Sequence, residues 1–456
     1  VKPLPVSVFT QLAGGVAYNV APDAAITGFS TDNRETKPGD LFLAIKGANV
    51  DGHDFAASAI KNGAVAALVE KPVEAPHILV ANLVQALAKF AKAKRQQFEG
   101  PVVAVTGSAG KTTTKEMIAA ALSPLGKVLK TTGNRNSEYT SPLIWAELTP
   151  EHKAVVVEMG MRGFGQIAHL ASFTQPTIGV VTNIGVSHIE LVGSREGIVK
   201  AKGELLEALP QNGFAIVWAE DQYLQGLKSK TKSQVMTFGF SQHADCRITN
   251  YTVNGWKECR IEGKLHEHPF HAVLPGVGRH LALNAACAVL VAACAGVRPA
   301  DAGEALANSE IPPMRMQILE HNGVTYILDA YNASPPSVIA ALETLADARV
   351  QGKRIAVLGE MRELGSHTEE GHREVGRAAV QTGINELILI GEPTKWIAEA
   401  AENKGFPKDR IHHANSIQEV TAHIKNAKPG DAVLIKGSRA LELERAVEFL
   451  KEPTPH

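Results

Sequence analysis

Between the apolar run at Val102 and a helical pattern ending near Leu122 lies Gly107-Ser108-Ala109-Gly110-Lys111-Thr112-Thr113-Thr114. Backbone N–H groups at a helix start point outward and carry partial positive charge, so a glycine turn at that place can hold an anion. The strict phosphate-loop spacing G-x-x-x-x-G-K-[ST] is not met, because Val105 stands five positions before Gly110. A shorter G-x-x-G-K-T loop remains, with a strand entering and a helix leaving. Lys111 can neutralise phosphate oxygens and Thr112 can ligate Mg²⁺. The pattern predicts nucleotide binding rather than a bare turn with a surface lysine.

Two further side chains sit where such a site needs partners. Glu158 ends the apolar run "AVVVEMG", and His188 follows "VVTNIG". A glutamate ending an apolar strand is costly to bury unless it is paired or metal-bound. A solvated strand-end carboxylate and a surface histidine are the plain alternatives.

These residues need a scaffold, and the chain supplies alternating apolar strands and helical patterns. "VVAVTG", "AVVVEMG", "IGVVTNIG" and "FAIVWAE" predict a parallel sheet covered on both faces. Ligands of such sheets bind beyond the carboxyl ends of the strands. Over 235–275 the pattern changes to short alternating strands, predicting an antiparallel sheet added to the same domain. The helix "HLALNAACAVLVAACAG" closes that region. "IPPMRMQ" reads as a linker, and "VTYILDAY", "RIAVLGE", "ELILIG" and "AVLIKG" beyond it predict a second open α/β sheet. Before all of this, "LFLAIKG" and "AVAALVE" mark a small α/β unit that leaves through the helical "NLVQALAKFAKAKRQQF". The expected fold is therefore α/β in three domains, 1–99, 100–312 and 313–456. The first is small, the second a P-loop-type parallel sheet with added antiparallel strands, and the third Rossmann-like.

Composition excludes several classes. With 456 residues the chain exceeds one ordinary core. Lys plus Arg (46) nearly balances Asp plus Glu (47), so no global field recruits nucleic acid or anionic lipid. The apolar segments are too short to span a bilayer, and Val1-Lys2-Pro3 opens no leader-like run. The four cysteines show no C-x-x-C spacing, which argues against structural zinc and disulfides. A soluble, cytoplasmic and monomeric enzyme is the expectation, with no nucleic-acid partner and no membrane insertion.

Together these motifs resemble the Mur ligase family nearly end to end. The resemblance runs through "TGSAGKTTTKE" (106–116), "GNRN" (133–136), "VVEMGM" (156–161) and "TNIGVSHIELVGSREGIVKAKGE" (182–204). It continues in "GVGRHLALN" (276–284), "DAYNASPPS" (329–337), "VLGEMRELG" (357–365) and "IKGSR" (435–439). It implies ATP-dependent amide formation through an acyl phosphate, with ATP as co-substrate held by Gly107, Ser108, Ala109, Gly110, Lys111, Thr112 and Thr113. Lys111 would be the phosphate lysine. Thr112 and Glu158 would hold one Mg²⁺ and His188 a second. Lys202 would be carbamylated by CO₂ into an anionic metal ligand, whereas by spacing alone it is a helix-surface lysine. His280 and Asn284 would lie on the nucleotide side, Arg315 at the γ-phosphate after the third domain closes, and Asp329 and Asn332 where that domain meets ATP.

The resemblance also assigns substrates. "STDNRETKPGDLFLAIKGANVDGHDF" (30–55) is similar to a uridine-nucleotide-binding segment, with Thr31, Arg34, Gly47 and His53 as candidates. Asn134 and Asn136 would line the path to the acyl end. The implied partners are UDP-N-acetylmuramoyl-tripeptide and D-alanyl-D-alanine. Ser137, Thr140 and Ser334 depart from the residues commoner at those positions. A branch adding a single amino acid and folylpolyglutamate synthase share the central loop, but the former's "DNPR"-type motif is absent.

Overall fold

The computed structural model describes residues 2–47 and 49–451, the last without its side chain. Three open sheets follow one another along the chain. The first has five strands in the order Val16–Tyr18, His77–Leu79, Ala66–Val69, Asp40–Leu43 and Gly28–Ser30. Its pairings are parallel apart from the first, which is antiparallel. The predicted helical exit forms Leu83–Arg95, started by Asn82, whose side chain accepts the Gln85 N–H. Its buried Leu87 and Phe90 close the core of this domain with Phe9. At its far end Arg95 donates to the Thr174 carbonyl at 3.0 Å, tying the first domain to the second.

The central sheet has nine strands. From one edge they are His268–Pro275, Glu258–Leu265, Cys246–Asn254, Gln234–Gly239, Phe214–Trp218, Ile178–Val181, Val102–Thr106, His152–Glu158 and Lys127–Lys130. Val102–Thr106 is buried throughout and lies between Ile178–Val181 and His152–Glu158, where the strand order reverses. A crevice opens beyond the strand ends at such a point. One face is covered by helices Lys111–Ala121 and Arg279–Cys294, the other by Gln166–Thr174 and Arg195–Glu207. The expected antiparallel strands are not a separate layer. They extend the same sheet through a two-residue parallel junction, Phe238 with Cys246 and Gly239 with Arg247, and turn antiparallel after it.

The third sheet has six strands in the order Gln317–His321, Val324–Leu328, Ala432–Lys436, Arg354–Gly359, Glu386–Ile390 and Ile411–Ala414, with the first pair antiparallel. Helix Pro335–Asp347 begins with a Ser334–Ser337 cap, in which Ser337 Oγ accepts the N–H of the departure Ser334 at 2.9 Å. One continuous apolar cluster spans the second and third sheets. No helix among the described residues is long and apolar enough to cross a membrane.

Candidate active site

The loop after Val102–Thr106 is shaped by what approaches it. Gly107 has φ +150°, and a Cβ there would come 1.8 Å from Thr182 Oγ1. Gly110 is left-handed at φ +79° and starts helix Lys111–Ala121. The next strand's end clamps the loop. Asn183 Oδ1 accepts the Ala109 N–H at 3.0 Å, while Thr182 Oγ1 and Asn183 Nδ2 donate to the Ala109 carbonyl at 2.6 and 3.1 Å. Gly185 N–H donates to Ser108 Oγ at 2.8 Å. Asp221 in turn accepts the Ile184 N–H at 2.7 Å, and burial raises its carboxyl pKa against the pull of its backbone donors. With the loop fixed, the first-turn N–H groups of Lys111, Thr112 and Thr113, which have no partner within the helix, form the anion-facing surface. Lys111 Nζ rests on the Gly107 carbonyl at 2.9 Å. Burial lowers its pKa, Glu158 opposes that shift and Arg315 adds to it.

Glu158 is 3% exposed. Its N–H donates to Thr131 Oγ1 at 3.0 Å, and Oε1 accepts from Asn136 Nδ2 at 3.0 Å. Its Oε2 is buried without a hydrogen-bond partner, and a buried carboxylate oxygen left so is costly unless a cation meets it. Among the described residues, His, Cys, Asp and Glu side chains do not gather in threes as a metal cage. An ion here would take most of its ligands from hydroxyl, phosphate and water oxygens, which is the habit of Mg²⁺. The residues present therefore fit that ion.

Lys202 is not on the helix surface. It is 1% exposed in helix Arg195–Glu207 and makes no hydrogen bond or ion pair among the described residues. Burial, and then the neighbouring Lys111, pull its pKa well below the ordinary lysine value. Two residues on, Glu204 accepts the N–H groups of Gly165 and Ala168 at 2.7 and 3.0 Å, fixing the start of helix Gln166–Thr174 beside it. His188, at φ +64°, has Nδ1 2.8 Å from Glu363 Oε2 without the alignment of a hydrogen bond. Burial lowers the His188 pKa; Glu363 opposes, and Lys111, Lys202 and Arg162 reinforce. The site is thus a basin of positive charge around one buried carboxylate.

The third domain reaches into it. Arg315 donates to Thr112 Oγ1 at 3.0 Å, and its guanidinium lies 4.2 Å from the Tyr331 ring centre. Both flanking residues, Met314 and Met316, are left-handed, a costly backbone held by its surroundings. Asp329 helps hold it, accepting the Met316 N–H at 3.2 Å, while its Oδ2 accepts from Lys436 at 2.6 Å. Lys436 is 3% exposed and also donates to the Asn332 carbonyl at 3.0 Å. His280, across the domain boundary, is buried with Nδ1 unpartnered; burial takes its pKa down to about 4 against the pull of Asp329. Asn284, one turn on, faces Gly110.

A cavity of about 1000 Å³ gathers Thr31, Ser108 to Thr113, Asn134, Asn136, Glu158, His188, His280, Asn284, Arg315, Asp329 and Asn332 on one wall system. Ser137 and Thr140 line it too, with Ser137 Oγ and Thr140 Oγ1 paired at 3.0 Å. Arg34, Gly47 and His53 lie outside its walls, as do Gly107 and the buried Lys202. Arg34 pairs with Asp32 on the surface. Gly47 N–H closes a turn on the Val50 carbonyl at 2.8 Å. Both ring nitrogens of His53 are engaged, Nδ1 with Asp51 at 2.6 Å and Nε2 accepting the Glu70 N–H at 2.9 Å. Residue-type reasoning missed Thr182, Asn183 and Lys436. All three lay in quoted motifs, and Lys436 also ends an apolar strand as Glu158 does, which was the available signal.

Three family models match: "Mur ligase family, catalytic domain" over 25–122, "Mur ligase middle domain" over 105–292 and "Mur ligase, glutamate ligase domain" over 314–439. The chain is 34% identical to UDP-N-acetylmuramoyl-tripeptide--D-alanyl-D-alanine ligase of Bacillus subtilis, across 98% of each chain. Its fold superposes on a crystal structure of MurF from Acinetobacter baumannii with TM-score 0.89 at 29% identity, covering 99% of this chain and 100% of that one. It is also similar to a MurF ligase from Thermotoga maritima in complex with ADP, with TM-score 0.80 and 32% identity over 94% of this chain and 98% of the other.

Proposed function

The chain belongs to the Mur ligase family, and on that footing we propose that it joins D-alanyl-D-alanine to UDP-N-acetylmuramoyl-tripeptide, converting ATP to ADP and phosphate in peptidoglycan precursor synthesis. The observation that carries the reading is the contact of Arg315 with Thr112, which unites the third domain with the phosphate loop over one cavity.

The tripeptide's terminal carboxylate attacks the γ-phosphorus of ATP, the bond to the bridging oxygen breaks, and ADP leaves an acyl phosphate. The dipeptide amine then attacks the acyl carbon, the tetrahedral intermediate expels phosphate, and the amine proton is released. The loop N–H groups and Lys111 bind the phosphates, with Lys111 exchanging the Gly107 carbonyl for phosphate oxygen. Arg315 meets the transferring group with a planar fork of donors. Preset charges stabilise developing negative charge. His280, Asn284, Asp329 and Asn332 hold the nucleoside side, with the Lys436 ammonium anchoring Asp329. Thr31, Asn134 and Asn136 orient the acyl end. The uridine end extends over the first domain toward Arg34 and the Gly47 turn, and His53 supports that turn from beneath.

Thr112 and Glu158 would hold one Mg²⁺, and His188 with carbamylated Lys202 a second. Bound there, the ions neutralise phosphate charge and polarise the transferring group. Support for the carbamate is the buried Lys202, whose pKa burial draws well below the ordinary lysine value, favouring the neutral amine that bonds CO₂ and releases a proton. The test of the reading is ATP-dependent amide formation with the tripeptide nucleotide and a panel of amine donors. Preference for a single amino acid would move the chain to another branch of the family.

A further inference from the structure

The loop 360–367 follows strand Arg354–Gly359 and is held rigid within the third domain. His372 Nε2 accepts the Met361 N–H at 3.1 Å, and Ser438 Oγ accepts the Arg362 N–H at 3.1 Å. Gly365 lies on the central domain, where a Cβ would come 3.1 Å from Glu190 Cβ. At the tip, Glu363 has φ +63° and carries its Oε2 to 2.8 Å from Nδ1 of His188, itself at φ +64°. Left-handed backbone is unfavourable for both side chains and persists where the surroundings impose it, commonly at functional sites.

The charge around this pair is one-sided. His188 stands near Lys111 and Arg162, with Arg315 and Lys436 on the cavity's nucleotide side. Such a basin draws phosphate and carboxylate groups. It repels an amine donor, whose amino group, with an ordinary pKa of about 8, is mostly protonated at neutral pH. Of the other carboxylates, Glu138 lines the cavity without an ion pair among the described residues, and three have other duties. Glu158 is buried beside Asn136, Asp329 is tied to Lys436 and Met316, and Glu360 is paired with Arg362 at 2.6 Å. Glu363 differs: its side chain is 49% exposed, and its second oxygen makes no hydrogen bond among the described residues.

We infer that Glu363 receives the ammonium group of the amine donor and brings it beside the acyl phosphate. The inference rests on the ligase reading above and deepens it, placing the donor's amine on a carboxylate supplied by the closing domain. A bare latch between the domains is the competing role for the same pair, and the two separate by reaction step. A latch would act on acyl-phosphate formation as well, whereas a donor-binding group acts after it.

The experiment uses the full chain and two variants, Glu363→Gln, which keeps shape and removes charge, and Glu363→Asp, which keeps charge. Acyl-phosphate formation is read as a single-turnover burst of ADP with the donor omitted, and donor use as KM for D-alanyl-D-alanine. Loss of one charge-assisted contact should raise that KM about tenfold to a hundredfold in Glu363→Gln. The burst should stay within about twofold of wild type, and Glu363→Asp should recover most of the loss. An unchanged KM in Glu363→Gln, or a burst that falls together with amide formation, would overturn the inference. If Glu363→Gln does not fold, Glu363→Ala carries the test, and a KM for D-alanyl-D-alanine unchanged from wild type there overturns it. Failure of the wild type to form amide with the dipeptide would instead strike the parent reading, and the inference with it.

Discussion

Arg315 and Thr112, 203 positions apart in the chain, meet through a 3.0 Å hydrogen bond from the guanidinium to the threonine hydroxyl. That bond joins the third domain to the mouth of the phosphate loop, and it requires the left-handed Met314 and Met316 on either side of Arg315. On the proposed function, the contact lies where a nucleotide's terminal phosphate would be neutralised, and that charge placement offsets the backbone strain.

Arg315→Ala should therefore lower kcat by about 10²- to 10³-fold, with a smaller effect on ADP affinity. Arg315→Lys should recover only part, because a point charge lacks the planar fork. Steady-state phosphate release together with ADP titration checks this. A purely KM-type defect for ATP in both variants would argue against a role at the transferring group.

Lys111→Ala should abolish turnover, by about 10³-fold or more, without loss of thermal stability. Burial holds the Lys111 pKa below its ordinary value, so the protonated side chain opposes folding and its removal is neutral or stabilising. Thermal melts alongside activity give the answer. A markedly lower melting temperature would show that the lysine serves the fold.

For Lys202 the sign of the pH effect is diagnostic. Its folded pKa is depressed, so the folded state binds fewer protons than the unfolded one as pH falls below the ordinary lysine range. Wild-type stability, in CO₂-depleted buffer without metal, should then rise from pH 7 toward pH 10 relative to Lys202→Met. Lys202→Ala should be nearly inactive and partly rescued by a small carboxylate filling the vacated position. A Lys202→Met melting curve that stays parallel to wild type across this range would contradict the buried amine.

His280 titrates in the acid range. With its pKa taken from 6.5 to about 4 by burial, it is neutral in the fold above pH 5 and charges more readily when unfolded. Its contribution is present above pH 6.5 and is lost as pH falls, amounting to about 3 kcal/mol by pH 4. Denaturant titrations of His280→Asn and wild type between pH 7 and pH 4 should converge toward the acid end. A constant gap would contradict the assignment.

Much of this architecture was legible in the chain because its signals are local. The apolar strand Val102–Thr106, the glycine turn and the helix beginning at Lys111 announce themselves by residue type, and so does the strand end at Glu158, while His188 lies seven residues beyond strand Ile178–Val181. The burial of Lys202 was not legible, since helix Arg195–Glu207 carries polar residues on several faces and the docking of helix Gln166–Thr174 on it, through Gly165 and Ala168 N–H to Glu204, is a tertiary event. The continuity of the central sheet through Phe238 and Cys246 was hidden for the same reason, two residues of pairing leaving no periodic trace. Glu363 lay within the quoted "VLGEMRELG" but was not singled out, because its contact is with His188 on another domain. His53 shows the reverse case, a suggestive residue type whose ring is fully engaged by Asp51 and Glu70.

The most direct test of the central claim is the amide product itself. The full chain, ATP, Mg²⁺ and UDP-N-acetylmuramoyl-tripeptide are incubated with D-alanyl-D-alanine, meso-diaminopimelate, L-lysine or L-glutamate separately, and product and ADP are quantified by mass spectrometry. The account predicts one ADP per amide with the dipeptide, and far less product with any single amino acid. Equal or greater product with one of the amino acids, or ADP formed with no amide from any donor, would contradict it.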